Sequence, residues 1–297
     1  MKTLLLVLAV LGWLVLNAPA QVTIEVTQDQ DQFLLGEALP VAVKITNLSG
    51  QKVHLGEEPN WLTFNIESMD GFEVFKSAEV PVVGAFDLES SQMGIKRVDL
   101  APYFSLTRSG RYKIVATLRI KDWSMEAPSA PKFFDVINGV TMWSQDFGVP
   151  MEGIPAGQPP EMRRYSLIKA NYERTQLRLY AQVSNPADAQ MFKVKEIGSL
   201  LSFSNPEAQV DRYGMLHVLF QSGASLFSYT VIQPDGTFIK QEFFDYVSTR
   251  PRLGVDDSGD IVVTGGVRRM HSDELPAVKM PSEVPRPAPA PAAVANH

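Results

Sequence analysis

Residues 22–27 read Val-Thr-Ile-Glu-Val-Thr, apolar and polar in strict alternation. After the polar run at 28–32 the alternation resumes, with Leu39, Val41, Val43 and Ile45 on one face. A period of two predicts half-buried β-strands. The pattern returns at 61–68, 71–77, 96–100, 110–120 and 132–137, with turn signals at Asn47–Gly50, Asp70–Gly71 and Ser109–Gly110. Seven or so short strands without a helical pattern predict an antiparallel sandwich of two sheets over residues 21–137.

Beyond Asn138 the strand patterns continue in another style. Residues 163–172 and 177–183 form an expected hairpin, followed by strand patterns at 191–197 and 200–203. Met162, Tyr165, Ile168 and Tyr172 also fit helical spacing, so a short helix there is the alternative. Further on, the chain repeats itself. Pro206, Val210, Asp211, Gly214, Leu216 and Val218 match Pro251, Val255, Asp256, Gly259, Ile261 and Val263 without a gap, each 45 residues apart. Asp211 and Asp256 are expected to bond backbone N–H groups two residues on, and Gly214 and Gly259 to supply the positive φ of a tight turn. Between the copies, residues 225–233 and 237–244 form two more strand patterns joined by Pro234-Asp235-Gly236. Four strands per 45 residues is the size of one propeller blade. A weaker copy precedes them, with Leu177–Gln182 paralleling Leu216–Gln221 at an offset of 39.

Two resemblances follow from these stretches. FLLGEALPVAVKITNLSG, with LTRSGRYKIVATL later, resembles bacterial immunoglobulin-like and macroglobulin-like sandwich domains. That likeness implies that Tyr112 closes a sheet corner at the start of a late strand. The disulfide of antibody domains and its tryptophan partner are absent, so the likeness is one of architecture. The 45-residue units are similar to the repeats of secreted bacterial β-propeller proteins. Residues 138–274 hold three units at most, fewer than the four to eight blades of closed propellers. The expected class is therefore all-β: an immunoglobulin-like sandwich, then a partial, propeller-like repeat domain. The repeats would close by dimerisation, lean on the first domain, or form an open layered sheet.

The chain ends add a compartment. Residues 1–20 carry Lys2, an apolar run from Leu4 to Leu16 and then Ala18-Pro19-Ala20, the layout of a secretory signal peptide. As a helix the thirteen-residue run covers roughly 20 Å, short of the roughly 30 Å hydrocarbon core. No later stretch approaches the length of a membrane span, so the expectation is an exported, periplasmic or extracellular protein without stable membrane insertion. Residues 275–297 are rich in proline and alanine and predict a disordered or polyproline-like tail. The formal charge of −6 becomes −7 once Lys2 is removed, which argues against nucleic acid as a partner. There is no cysteine, and with it no disulfide or thiolate chemistry.

Catalytic signatures are sparse. Of the four histidines, His297 is terminal, His271 stands beside the tail, His54 is alone in a strand-like VHL, and His217 lies on the opposite face of its strand from Leu216 and Val218. There is no HExxH, Gly-x-Ser-x-Gly or phosphate loop. Asp256–Asp260 resembles a cation loop in composition but lacks EF-hand spacing and reads as a turn. Glu207, Asp211, Asp256 and Asp260 are the carboxylates that a glycoside hydrolase could place at one rim. Asn47-Leu48-Ser49 matches a glycosylation acceptor and also a hairpin turn. Trp61 and Trp123 are core residues or ligand platforms. Arg163-Arg164 and Arg268-Arg269 are surface pairs or grips for an acidic polymer. No catalytic, cofactor-binding or metal-binding residue is singled out and no cofactor is expected. The expectation is an exported non-catalytic protein that binds or scaffolds an unidentified protein or glycan partner, with a homodimer as an option. The alternatives are a carbohydrate-active hydrolase using rim carboxylates, and an envelope-assembly or inhibitor component that pairs free strand edges.

Overall fold

A computed structural model describes residues 22–149, 160–187 and 190–270; the expected signal peptide and the Pro/Ala-rich tail lie outside them. The described chain is all-β, with several antiparallel sheets, none closed into a barrel. Among the described residues no helix is long and apolar enough to cross a membrane. Compact packing divides the chain after Ser204 into two units.

The first unit begins with ten strands: β1 (Val22–Thr27), β2 (Gln32–Leu34), β3 (Pro40–Asn47), β4 (Val53–Leu55), β5 (Leu62–Ser68), β6 (Phe86–Leu88), β7 (Met93–Asp99), β8 (Gly110–Ile120), β9 (Met125–Pro128) and β10 (Lys132–Ile137). One sheet runs β1-β3-β7 and the other β2-β10-β8-β5, with β9 also on β8 and a small β4-β6 pair beside them. All pairs are antiparallel except β2 with β10. Alternation sets the faces: in β1 and β8 the apolar members are buried and their neighbours are largely not. Val41, Val43 and Ile45 of one sheet share a single core with Ile66, Ile114 and Leu118 of the other. Each such side chain contributes about 1.5–3 kcal/mol relative to exposure.

Tyr112, fully buried near the start of β8, fixes one corner of this core. Its hydroxyl donates to the Arg108 carbonyl at 2.6 Å, while its ring stacks on Phe134 and meets Phe72 edge-on. The expected strand at 71–77 does not form. Lys76 makes only an isolated bridge with Phe104, while Phe72 and Val74 lie partly buried against the core.

Four further strands form an antiparallel meander within the same unit: β11 (Val140–Gly148), β12 (Met162–Tyr172), β13 (Gln176–Ser184) and β14 (Met191–Ser199). The helical alternative at 162–172 is thereby replaced by a strand, held between β11 and β13. Residues 200–203 are not a strand; the fourth member of the sheet is β11, an edge strand of mostly exposed residues with no apolar alternation to announce it. Leu34 of β2 packs with Ala170, Tyr180 and Val194 of this sheet. Compact packing is continuous from β1 through β14 and ends at Ser204. At the junction, a Cβ on Gly139 would meet Ile168 Cγ2 at 2.2 Å and the Lys169 carbonyl at 2.9 Å, so no larger residue fits.

The second unit contains β15 (Glu207–Val210), β16 (Leu216–Gln221), β17 (Leu226–Ile232), β18 (Phe238–Asp245), β19 (Arg252–Val255), β20 (Ile261–Thr264) and β21 (Val267–Arg269). β15 to β18 form an antiparallel meander extended by β21, and β19 pairs with β20 as a separate hairpin. Leu219, Phe227, Tyr229, Val231 and Phe244 are its buried cluster, on which Leu253 and Val263 of the hairpin also pack.

Every tryptophan after residue 21 belongs to the first unit, so tryptophan fluorescence reports on it. Tyr112→Phe removes one hydrogen bond and keeps the packing, and should lower its stability to urea by about 1 kcal/mol. Tyr112→Ala should cost about 3–5 kcal/mol. An unchanged urea midpoint for Tyr112→Phe would show that the hydroxyl contributes nothing to the corner.

Candidate functional site

The two repeat hairpins superimpose in their bonding. Asp211 Oδ1 accepts from the Tyr213 and Met215 N–H groups, each at 2.8 Å, and Asp256 Oδ1 accepts from Ser258 and Asp260, each at 2.9 Å. Gly214 and Gly259 donate back to the carbonyls of Asp211 and Asp256, with φ of 76° and 82°. A residue with a Cβ is strained at such φ, whereas glycine is not. The next strands leave in one register, Val210 opposite Leu216 and Val255 opposite Ile261.

The first copy carries an extra connection. His217 Nε2 lies 3.2 Å from Asp211 Oδ2 and its Nδ1 lies 2.7 Å from the Tyr229 hydroxyl, with both rings buried. A neutral imidazole satisfies both contacts when Nε2 donates to Asp211 and Nδ1 accepts from Tyr229. Burial pushes the Asp211 carboxyl up. Hydrogen bonds from His217, Met215 and Tyr213 outweigh it and hold the group below its ordinary range. Burial, with the charges of Glu242 and Asp211, raises Tyr229. An aspartate, a histidine and a hydroxyl in a row resemble a nucleophile with its base. Here the hydroxyl is enclosed by the sheet, so the row ties the turn to β16 and β17.

The remaining rim carboxylates are also engaged. Glu207 binds Arg252 at 2.8 Å and accepts from the Leu253 N–H, and Asp260 binds Arg212 at 2.9 Å. Glu207 and Arg252 occupy equivalent places in the two copies, so the first strands of successive units lie side by side. Among the described residues no group of three or more His, Cys, Asp or Glu side chains could hold a metal ion. Arg163 and Arg164 pair with Glu161 and Asp146, while Arg268 and Arg269 pair with Glu242 and Asp245. Neither dipeptide forms an isolated basic patch.

In the first unit Asn47 is wholly buried. Its amide donates to the Gln51 and Leu88 carbonyls while its oxygen accepts from Ser49, which makes it a turn residue with no accessible acceptor nitrogen. Trp61 is buried, its indole N–H bonded to the Val82 carbonyl, and Trp123 packs partly buried on the core.

Beside Trp61 opens a cavity of about 340 Å³, lined by Gly56–Trp61 with His54, Arg119, Lys121 and Asp122. His54 Nδ1 lies 2.5 Å from Asp87 and Nε2 2.9 Å from Glu57, so both ring nitrogens face carboxylates. Hydrogen bonds to Asp87 and then Glu57 hold the imidazole above its ordinary pKa. The bonds from His54 and then Lys52 hold Asp87 below its own. Lys121 pairs with Glu58 on the same rim. The result is a recess beside Trp61 with both apolar surface and charged groups of either sign. Nothing local in the sequence marks His54, since Asp87 lies 33 residues away and the β4–β6 pairing joins them.

Asp211→Ala should destabilise the second unit by about 2–3 kcal/mol and Asp256→Ala by about 1 kcal/mol, since only the former also strands His217. Amide exchange across β15–β18 and β19–β20 measures both; equal losses would refute the added role of His217. His54 should titrate above 6.5 by NMR, and Asp87→Asn should bring it back toward 6.5. Because the folded value is raised, the stabilisation is complete below 6.5 and is lost as pH rises through the folded value. No family model matches this chain, and no curated protein matches it in sequence.

Proposed function

We propose that this chain is an exported, non-catalytic binding or scaffolding protein of the cell envelope or extracellular space, with a protein or glycan as partner. Residues 1–20 serve as its export signal and 275–297 as a tail in this reading. Its front part is an immunoglobulin-like sandwich. Support comes from the β1-β3-β7 and β2-β10-β8-β5 sheets, the parallel β2–β10 edge and the Tyr112 hydroxyl bond back to Arg108. The β15–β18 meander is a propeller-type blade and the β19–β20 hairpin is the start of the next. Support comes from the 45-residue offset, the identical capped turns and the adjacency of Glu207 and Arg252.

The observation that carries the functional reading is the use made of the rim carboxylates. Asp211 and Asp256 cap turns, while Glu207 and Asp260 pair with arginines, so all four serve structure where a hydrolase needs two facing an open cleft. The notch beside Trp61 offers the first unit a recognition surface of mixed polarity.

Fractionation should find the full chain outside the cytoplasm and a chain lacking residues 1–20 inside it. The purified protein, applied to a glycan array and to envelope proteins, should bind without forming product, and Glu57→Ala with Glu58→Ala should weaken binding severalfold if the notch is the site. New reducing ends released from a bound glycan would overturn the non-catalytic reading and favour the hydrolase.

A further inference from the structure

We propose that the outer edge of β20 is an interaction surface on which a second copy of this chain lays its own β20, antiparallel across a two-fold axis. The internal repeat shows what belongs at this edge. In the first copy β16 is paired on one side with β15 and on the other with β17, through Leu216↔Ile232, Val218↔Thr230 and Phe220↔Ser228. β20 is the counterpart of β16, with Ile261 and Val263 standing for Leu216 and Val218. Among the described residues it pairs with β19 alone. At the places of Phe220 and Gln221, the last two residues of β16, the chain instead turns through Gly265 and Gly266, both at positive φ, and returns to pair β21 with β18. The offset of 45 assigns the place of β17 to residues 271–277, His-Ser-Asp-Glu-Leu-Pro-Ala. That segment lacks alternation and contains a proline, which cannot donate to a ladder.

The register of the hairpin determines which groups the edge offers. Asp256 N–H bonds to the Asp260 carbonyl. Hydrogen-bonded pairs alternate along an antiparallel ladder, so Val262 and Thr264 bond inward to β19 while Ile261 and Val263 direct N–H and C=O outward. A two-fold axis through Val262 sets Ile261 opposite Val263 of the other copy, and Val262 opposite its own equivalent. Symmetry then closes two hydrogen-bonded pairs, an isologous contact of the kind that stops at a dimer. A strand of identical sequence meets the antiparallel requirement, the same orientation that β17 has against β16.

Charge also fits a second copy. The turn before β20 carries Asp256, Asp257 and Asp260, whereas the far end lies beside Arg250 and Arg252, the latter opposite Thr264. Antiparallel pairing brings the acidic turn of each copy to the basic end of the other; parallel pairing would set like charges together. Asp257 and Arg250 make no ion pair among the described residues and are the pair this contact would join. Four residues form a short edge, so the dimer is weak and in rapid exchange. It forms whether or not the chain also binds a glycan.

The absence of cysteine makes the contact directly testable. In a non-hydrogen-bonded antiparallel pair the Cα atoms are about 4.5 Å apart, within the range that a disulfide spans. Val262→Cys, on the axis, should cross-link into a disulfide dimer at least tenfold faster than Val255→Cys, which is exposed on the same hairpin but off the axis. Sedimentation equilibrium of the wild type should show mass rising from one toward two protomers with concentration. Val263→Pro, which removes an outward N–H and leaves the β19 bonds in place, should keep the protein monomeric. Asp257→Arg should weaken the dimer, and Asp257→Arg with Arg250→Asp should restore it. Equal cross-linking at 262 and 255, a monomer at every concentration, or a dimer indifferent to Val263→Pro in a folded protein would each overturn the proposal.

Discussion

One oxygen of Asp211 takes two backbone N–H groups, and one oxygen of Asp256 does the same 45 residues later, so the register of each hairpin is fixed within its own turn. In a chain without cysteine this constraint matters more than usual, because a one-residue slip would turn every buried side chain of a strand to the other face. Asp235 caps the β17–β18 turn through the Thr237 N–H and hydroxyl, and Asn47 performs the same task after β3 with an amide. The carboxylates and the amide are therefore the registration marks of the sheets. Their chemistry is spent on backbone groups that would otherwise lack partners.

Registration makes the burial coherent. In the first unit the inward residues of two sheets meet in one core, with the aromatic group Tyr112, Phe134 and Phe72 at one corner. Leu34 carries that packing into the next sheet, against Tyr180 and Val194. The sheet ends hold the recess at His54, whose two carboxylate contacts come from separate elements, β6 and the loop after β4. A recess of this kind draws its geometry from the scaffold and its chemistry from the loops.

Where a strand has one wet face, as β3, β8 and β10 do, alternation marks it in the sequence and the structure agrees closely. The short strands β2, β4 and β6 are three residues each, too brief for a period to show. β11 is largely exposed and carries no pattern, while β12 is interior and mimics helical spacing. The turn residues of the repeat were legible because glycine and aspartate have narrow geometric uses. The His54 contact with Asp87 was not, since it depends on strand pairing across 33 residues.

The divergence between the two repeat copies has a physical logic. His217 sits on β16 with a turn carboxylate on one side and Tyr229 of β17 on the other, so both ring nitrogens are satisfied under burial. In the second copy the matching position is Val262, on a hairpin to which the described chain adds no third strand. A histidine there would keep a carboxylate on one side and have no hydroxyl on the other, leaving a polar nitrogen to be solvated or orphaned. Valine instead suits an extended strand and asks for no polar partner. Both copies thus share the turn, and the cross-link is found in the copy whose third strand supplies the hydroxyl.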